Sequence, residues 1–298
     1  MRTNAAVILT MVVGCLLRGQ VVESKKGPVE FIGLETWTPE QIQAGLERLP
    51  DGDLHYCAAD IKKAGIAEAS VVIHIGNDDK WYTVVTVVEP QRAAEIAWRA
   101  SPASSIAVPS TWAVLEEAAR SGHLLDKPPT PLRERTAAAD YDQAIEVLRG
   151  SAEATDREAA AAILTNFADR DGAWQALAGG LRDPDNRVAS VCQQALNQLR
   201  RHAARRVEWA PAAADLAAVL HGTNLFAFQE LLETLAATEV QPSLAEALLG
   251  HGGGRLLLAC LRAQHPNERR AAHALLVQLR SADLGEAPEP WAAWIAAL

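Results

Sequence analysis

The sequence has few cysteines, few aromatic residues and no excess of positive charge. It contains four cysteines and 5% aromatic residues in 298 residues, and its formal net charge is −9. Binding of nucleic-acid phosphates requires clustered cations, so this charge argues against a nucleic-acid partner. If Cys15 is lost or modified, the other three cysteines cannot all pair. Cys57, Cys192 and Cys260 are therefore predicted to be unpaired and buried on apolar helix faces.

Common catalytic motifs are also missing: there is no G-x-S-x-G elbow, Walker loop, H-E-x-x-H or paired C-x-x-C. His55 and Cys57, at alternate positions of a predicted helix, would lie on different faces, so they predict no metal site. We therefore expect no catalytic residue, no metal and no cofactor, and a protein that is not an enzyme. A cleft lined by His55, His74 and Cys57 would reopen the enzyme hypothesis.

The first residues have the character of a targeting segment. Arg2 precedes an apolar run that extends to Leu17, about 13 residues and shorter than the ~20 that span a bilayer. The sequence Val12-Val13-Gly14-Cys15 resembles a bacterial lipobox, in which the cysteine is lipidated. Residues 1–22 are predicted to be a signal peptide or lipoprotein signal, with Cys15 as the lipidation site. The protein would then be exported, either periplasmic or lipid-anchored in the cell envelope. The alternative is an N-terminal core strand or helix.

Residues 28–126 predict a small α+β domain. A strand near 29–34 is followed by a helix start in which Thr38 is the N-cap, Pro39 the first turn and Gln41 the capping-box partner. A second helix is predicted over 54–64. Two β-rich runs around the turn 76–79 then predict a hairpin. The predicted order is β-α-α-β-β.

This order resembles that of a POTRA domain over about residues 28–90, although Leu34 stands where the family commonly has an asparagine. POTRA domains are periplasmic modules that bind client polypeptides, partly by adding a strand to a sheet edge. The resemblance therefore implies polypeptide binding at the sheet edge of this domain. A generic small α+β domain is the alternative.

A proline-rich stretch separates this domain from the rest of the chain. Lys127-Pro128-Pro129-Thr130-Pro131 favours polyproline II, and residues 127–136 are predicted to be a linker. All six lysines lie before residue 128, which supports a boundary there.

Residues 137–298 predict paired helices. Asp183-Pro184 and His265-Pro266 each open a helix whose apolar residues recur at spacings of three and four. A shorter helix precedes each, and four such pairs are predicted, with an insertion at 242–250. Over about 140–282 the pattern resembles HEAT repeats. The resemblance implies an α-solenoid that serves as a protein-binding scaffold. The tryptophans of 288–294 are predicted to cap its last pair.

In a HEAT array the second helix of each pair lines the concave surface. The predicted contact set is the polar side of these helices, Arg187, Gln194, Asn197, Arg201, Arg269 and His273. The alternative is a solvated face. The fold class is thus α+β, a β-α-α-β-β domain followed by a HEAT-like solenoid. The predicted function is a non-catalytic protein-interaction scaffold of the cell envelope. The alternative is an assembly or chaperone factor that captures extended polypeptide on the edge strand of the first domain.

Overall fold

A computed structural model describes residues 20–76, 81–120 and 138–298. It confirms the α+β class, with a small four-stranded mixed sheet followed by many helices. Cys15 and residues 1–19 of the predicted signal lie outside the described residues. So do residues 77–79 of the predicted turn and the predicted linker 127–136.

The sheet has the order β1-β2-β4-β3, in which β2 runs parallel to β4 and the other neighbours are antiparallel. Its strands are Gln20–Ser24 (β1), Gly27–Ile32 (β2), Glu68–Ile75 (β3) and Trp81–Val88 (β4). Two short helices separate β2 from β3, namely Pro39–Gln43 (α1) and Ala58–Lys63 (α2). The β-α-α-β-β order is therefore present. Strand β1 was not predicted, because residues 20–22 were assigned to the signal.

One face of the sheet packs on α1 and α2. Phe31 and Val85 contribute to an apolar cluster with Ile42 of α1 and Ile61 of α2, all nearly inaccessible to solvent. The predicted start of α1 is present, since Thr38 and Gln41 form a capping box.

Helix α2 begins later than predicted. Leu54 forms an isolated bridge with Arg48 instead of opening the helix, and Cys57 is the N-cap residue. The prediction that Cys57 lies buried on an apolar helix face is therefore wrong, and its side chain is half-buried. Cys192 and Cys260 are buried and unpaired, as predicted.

After β4 the described chain is helical with short connections. The helices are Ala113–Arg120 (α3), Asp140–Gly150 (α4), Ala154–Leu164 (α5), Asp171–Gly180 (α6), Asn186–Ala203 (α7), Ala213–Leu220 (α8), Leu225–Ala237 (α9), Ala245–Leu249 (α10), Gly254–Leu261 (α11), Pro266–Arg280 (α12) and Pro288–Ile295 (α13). Short 3₁₀ turns occur at Pro90–Glu95, Ser110–Trp112, Ala210–Ala212, Pro242–Leu244 and Gly250–Gly252.

These helices contact one another in two rows. In the first row α4 contacts α6, α6 contacts α8, and α8 contacts α11. In the second row α5 contacts α7, α7 contacts α9, and α9 contacts α12. The two rows meet through the pairs α4–α5, α6–α7, α8–α9 and α11–α12. Each helix thus buries its apolar stripe against its own partner and the neighbouring pairs.

Helix α13 covers the end of the last pair. It packs on α11, and Trp291 is fully buried with its ring edge-to-face against His273 of α12. The indole N–H of Trp291 donates a hydrogen bond of 2.7 Å to the carbonyl of Gly285. This arrangement confirms the predicted cap.

The second face of the sheet belongs to the same apolar core as the helices. Ile32, Val84 and Val88 pack with the helical core. Gly222, in the turn between α8 and α9, has a φ of +115°, and a Cβ there would lie 2.3 Å from a Val88 methyl carbon. Only glycine allows this close approach. The apolar core of the helices therefore extends onto one face of the sheet.

Candidate functional site

A large cleft lies between the sheet and the second row of helices. Its volume is about 1170 Å³. One wall is formed by α2 and β3 and the other by α7 and α9. Small-molecule pockets usually measure ~300–1,000 Å³ and enclose their ligand. The size and open shape of this cleft suit a stretch of polypeptide better than a small molecule.

Strand β3 forms an edge of the sheet along this cleft. Within residues 20–76, 81–120 and 138–298, no strand pairs with its outer side. The second half of the strand is also exposed, with relative exposures of 38% for Val72, 45% for Ile73 and 68% for Ile75. A free edge that carries apolar side chains is a template for pairing with another extended chain.

The helical wall supplies a matching apolar side chain. Phe226, in the first turn of α9, is 51% exposed and lines the cleft together with Val72 and Ile73. Trp98 adds a half-buried indole to the same lining. Six large apolar side chains of the described chain are exposed, and three of them, Val72, Ile73 and Phe226, line the cleft. Clustered exposure of this kind marks interaction surfaces.

The charged residues of the cleft are largely neutralised in place. Lys62 pairs with Glu68 at 3.0 Å, and Arg200 pairs with Glu233 at 2.7 Å. Both pairs join groups of opposite sign within one wall, so the cleft shows no strong excess of either charge. This lining favours an apolar or neutral ligand over a phosphate-rich one.

The predicted contact set is distributed over several environments. Arg201 lines the cleft. Asn197 does not line it but accepts one hydrogen bond from Arg201 and donates one of 3.3 Å to Glu230. Arg187 is exposed and pairs with the buried Glu158 at 3.2 Å. Gln194 is exposed and contacts Ser190 of its own helix.

The other two predicted residues hold local structure. Arg269 donates hydrogen bonds of 2.7 Å to the carbonyls of Ala263 and Gln264 in the turn before α12. His273 lies 2.9 Å from an oxygen of Asp283 and packs against the cap. Arg269 thus holds a turn and His273 holds the end of the last helix pair, and neither lines the cleft.

Sequence reasoning missed the stripe of α7 that does line the cleft, which contains Asn186, Ser190, Gln193 and Arg200. These residues recur at three-, four- and seven-residue spacing, so they form one helical face next to the predicted one. The position of the sheet selects this face, and no local pattern in the helix could identify it.

The cleft is lined by His55, Cys57 and His74, the combination that would reopen the enzyme hypothesis. Their reactive atoms do not converge. Within the described residues, the close groups of possible metal ligands are His74 with His265 and Glu268, and Glu47 with His55 and Asp60. Cys57 belongs to neither group.

A buried carboxylate fixes the loop between β2 and α1. Glu89 accepts hydrogen bonds of 2.7–2.9 Å from the backbone N–H groups of Glu35, Thr36 and Trp37 and from the Thr36 hydroxyl, and another from Gln91. Burial raises the pKa of this carboxyl, but the hydrogen bonds outweigh burial and lower the pKa to about 2. The cluster anchors the loop beside the end of β4.

Within the described ranges, no single helix has the length and apolar composition to cross a membrane. The pair Pro242–Gly252 and Arg255–Leu261, bent by 96°, meets those criteria only when both are taken together. Comparison of the chain with protein-family models, with curated proteins and with solved structures gave no match.

Proposed function

We propose that this chain is a non-catalytic protein-interaction module that binds an extended segment of a partner polypeptide in the cleft. The segment adds to the free edge of β3, and the helices α7 and α9 form the opposite wall. One observation carries this proposal. The unpaired edge of β3 exposes Val72 and Ile73 to a cleft of about 1170 Å³ whose other wall exposes Phe226.

Strand addition explains why an edge and a cleft occur together. Main-chain hydrogen bonds to a strand edge provide affinity for an extended chain, and alternate side chains then enter pockets on either face. Because Lys62 pairs with Glu68 and Arg200 pairs with Glu233, four of the charges of the walls are neutralised, and we expect the preferred segment to be apolar and β-prone rather than highly charged.

The proposal includes a HEAT-like solenoid for the helices and a POTRA-like character for the sheet. The two rows of successive helices support the solenoid. So does a repeated detail: Arg157 donates to the carbonyls of Ser151 and Ala152, six and five residues before it, as Arg269 does to its own turn. The mixed sheet with two helices between β2 and β3 supports the POTRA-like character.

Export to the cell envelope, with lipidation of Cys15, is the proposed setting. Strand β1 begins at Gln20 and pairs Val21 and Val22 with Glu30 and Val29. Cleavage before Cys15 would leave β1 whole, whereas removal of residues 1–22 would delete most of its pairing. Metabolic labelling with a fatty acid tests this point, because label on the wild type that is absent from Cys15→Ser supports lipidation.

The binding proposal is tested with the full chain and a permanently unfolded, carboxymethylated protein as the probe. Ile73→Lys introduces a charge on the free edge and Phe226→Ala removes the opposing ring. We expect each variant to weaken binding about 10-fold or more, because lysine on an edge strand opposes strand addition and lost apolar contact removes roughly 1.5–3 kcal/mol. Fluorescence anisotropy measures the affinity.

Val114→Lys is the matched control. Val114 is 48% exposed on α3 and does not line the cleft, so the same chemical change should leave binding unaltered. Gln194→Lys tests the predicted contact face of α7. Arg187→Glu is less suitable, since it would place a carboxylate beside the buried Glu158. Loss of binding with Gln194→Lys, but not with Ile73→Lys, would favour a scaffold surface away from the edge strand.

A further inference from the structure

Two histidines and a glutamate meet where β3 reaches the fourth helix pair. His74 lies on β3, His265 is the N-cap residue of α12, and Glu268 lies in the first turn of α12. One nitrogen from each ring and one carboxylate oxygen all lie within 4.8 Å of one another. The two rings are stacked, with centroids 3.9 Å apart and planes inclined by 20°.

The polar atoms of this cluster lack ordinary partners. His74 Nε2 and His265 Nδ1 are buried and make no hydrogen bond among the described residues. His74 Nε2 lies 3.6 Å from a Glu268 oxygen, which is too long for a hydrogen bond. Buried polar atoms in folded proteins nearly always have a partner, so these two ring nitrogens indicate a bound water, ligand or ion.

The charge of the cluster points to a cation. The Glu268 side chain is 6% exposed, and among the described residues no lysine or arginine pairs with it. Unlike Glu30 and Glu89, Glu268 accepts no hydrogen bond among the described residues, and a buried carboxylate without donors favours a positive partner. Two unpartnered imidazole nitrogens beside it are the ligands that zinc and its neighbours prefer, whereas calcium and magnesium prefer oxygen.

We infer that His74, His265 and Glu268 bind a divalent transition-metal ion of the zinc class. Ligand atoms around a tetrahedral zinc ion lie about 3.4 Å apart, given bond lengths of ~2.0–2.1 Å. The 3.6 Å between His74 Nε2 and the Glu268 oxygen is close to that spacing. Three protein ligands leave one position for water or for a group of a bound segment, because His74 and Glu268 also line the cleft.

Neighbouring groups hold one of the ligands in place. Glu30 is fully buried and accepts hydrogen bonds from the backbone N–H groups of Gln264 and His265 and from the Tyr82 hydroxyl, the last at 2.8 Å. The Tyr82 ring lies 4.9 Å from the His265 ring. These contacts fix the start of α12 against the sheet, as outer partners commonly fix metal ligands. The ion would tie β3 to α12 whether or not a polypeptide occupies the cleft.

To test this inference, the full chain is freed of metal with a chelator. It is then titrated with Zn²⁺ in a calorimeter. We expect one strong site per chain. His265→Ala and Glu268→Gln should each weaken it by more than the 10- to 100-fold that loss of a second-shell partner causes. Co²⁺ gives a second readout. The wild type with Co²⁺ should absorb visible light with the high intensity of a four-coordinate ion, and His74→Ala should lack this absorption.

His55→Ala is the matched control, because His55 belongs to the more exposed group with Glu47 and Asp60. Its zinc affinity should equal that of the wild type. Far-UV circular dichroism of the metal-free proteins verifies that each variant is folded. If a histidine variant unfolds, Glu268→Gln, which keeps the shape of the side chain, tests the site in its place. The inference is overturned if Zn²⁺ does not bind, or if Glu268→Gln binds as tightly as the wild type. Loss of binding in His55→Ala alone would also overturn it.

Discussion

The buried ion pair between Asp183 and Arg157 provides the sharpest prediction about stability. Asp183 is fully buried and accepts two hydrogen bonds of 2.9 Å from the Arg157 guanidinium, whose side chain is 4% exposed. It also pairs with Arg99 and accepts the backbone N–H of Asp185 at 2.9 Å. One carboxylate therefore compensates two guanidinium groups and fixes the turn before α7.

Asp183→Asn keeps the shape of the side chain but removes its charge, so Arg157 and Arg99 would remain close together without an anion. Breaking a buried ion pair from one side is destabilising by about 3–5 kcal/mol. Since a domain of this kind is stable by only ~5–15 kcal/mol, we expect a large decrease in the urea midpoint. Circular dichroism at increasing urea concentrations measures the free energy of unfolding.

Asp60→Asn is the control for this change, because Asp60 forms an exposed i,i+3 pair with Lys63 at 2.7 Å. Exposed pairs contribute about 0–1 kcal/mol, so this variant should unfold almost as the wild type does. A loss below ~1 kcal/mol for Asp183→Asn, similar to that of Asp60→Asn, would refute the assignment of a structural role to the buried cluster.

Two further predictions concern ionisation and reactivity. The pKa of Glu89 is lowered to about 2, so its contribution of about 3 kcal/mol is complete above pH 4.5 and is lost as the pH falls through 2. The free energy of unfolding of Glu89→Gln should therefore not show this decrease at low pH. A pH dependence equal to that of the wild type would contradict the prediction. Burial raises the pKa of Cys192 and Cys260, whereas Cys57 is half-buried. A thiol reagent should therefore modify Cys57 in the native protein and the other two only in urea, as mass mapping would show.

Much of the helical architecture could be predicted because its signals are local. Pro266 is the first residue of α12, where proline fits the helix, whereas Pro184 lies just before Asp185, the N-cap of α7. Both prolines therefore marked the start of a helix to within two residues. The Thr38 and Gln41 capping box likewise identified the start of α1. These signals depend on residues three or four positions apart.

The elements that were missed depend on contacts between distant parts of the chain. Val21 and Val22 form a strand only through their pairing with β2, and in the sequence they come shortly after an apolar run, ending at Leu17, that is typical of a signal. Nothing near His74 indicates that it stacks on His265, because the sheet must first pack on the fourth helix pair. The expectation of no metal stays a prediction; it rested on local spacing, and spacing cannot detect a cluster divided between a strand and a helix.

The central claim is that β3 accepts an added strand within the cleft. Amide hydrogen exchange of the full chain, with and without the carboxymethylated probe, tests it directly. Between Val72 and Ile75, the amides of β3 that point away from β4 should exchange rapidly in the free protein and become protected on binding, together with the first turn of α9 near Phe226. Saturating binding without protection in β3, or with protection confined to the first row of helices, would contradict the claim.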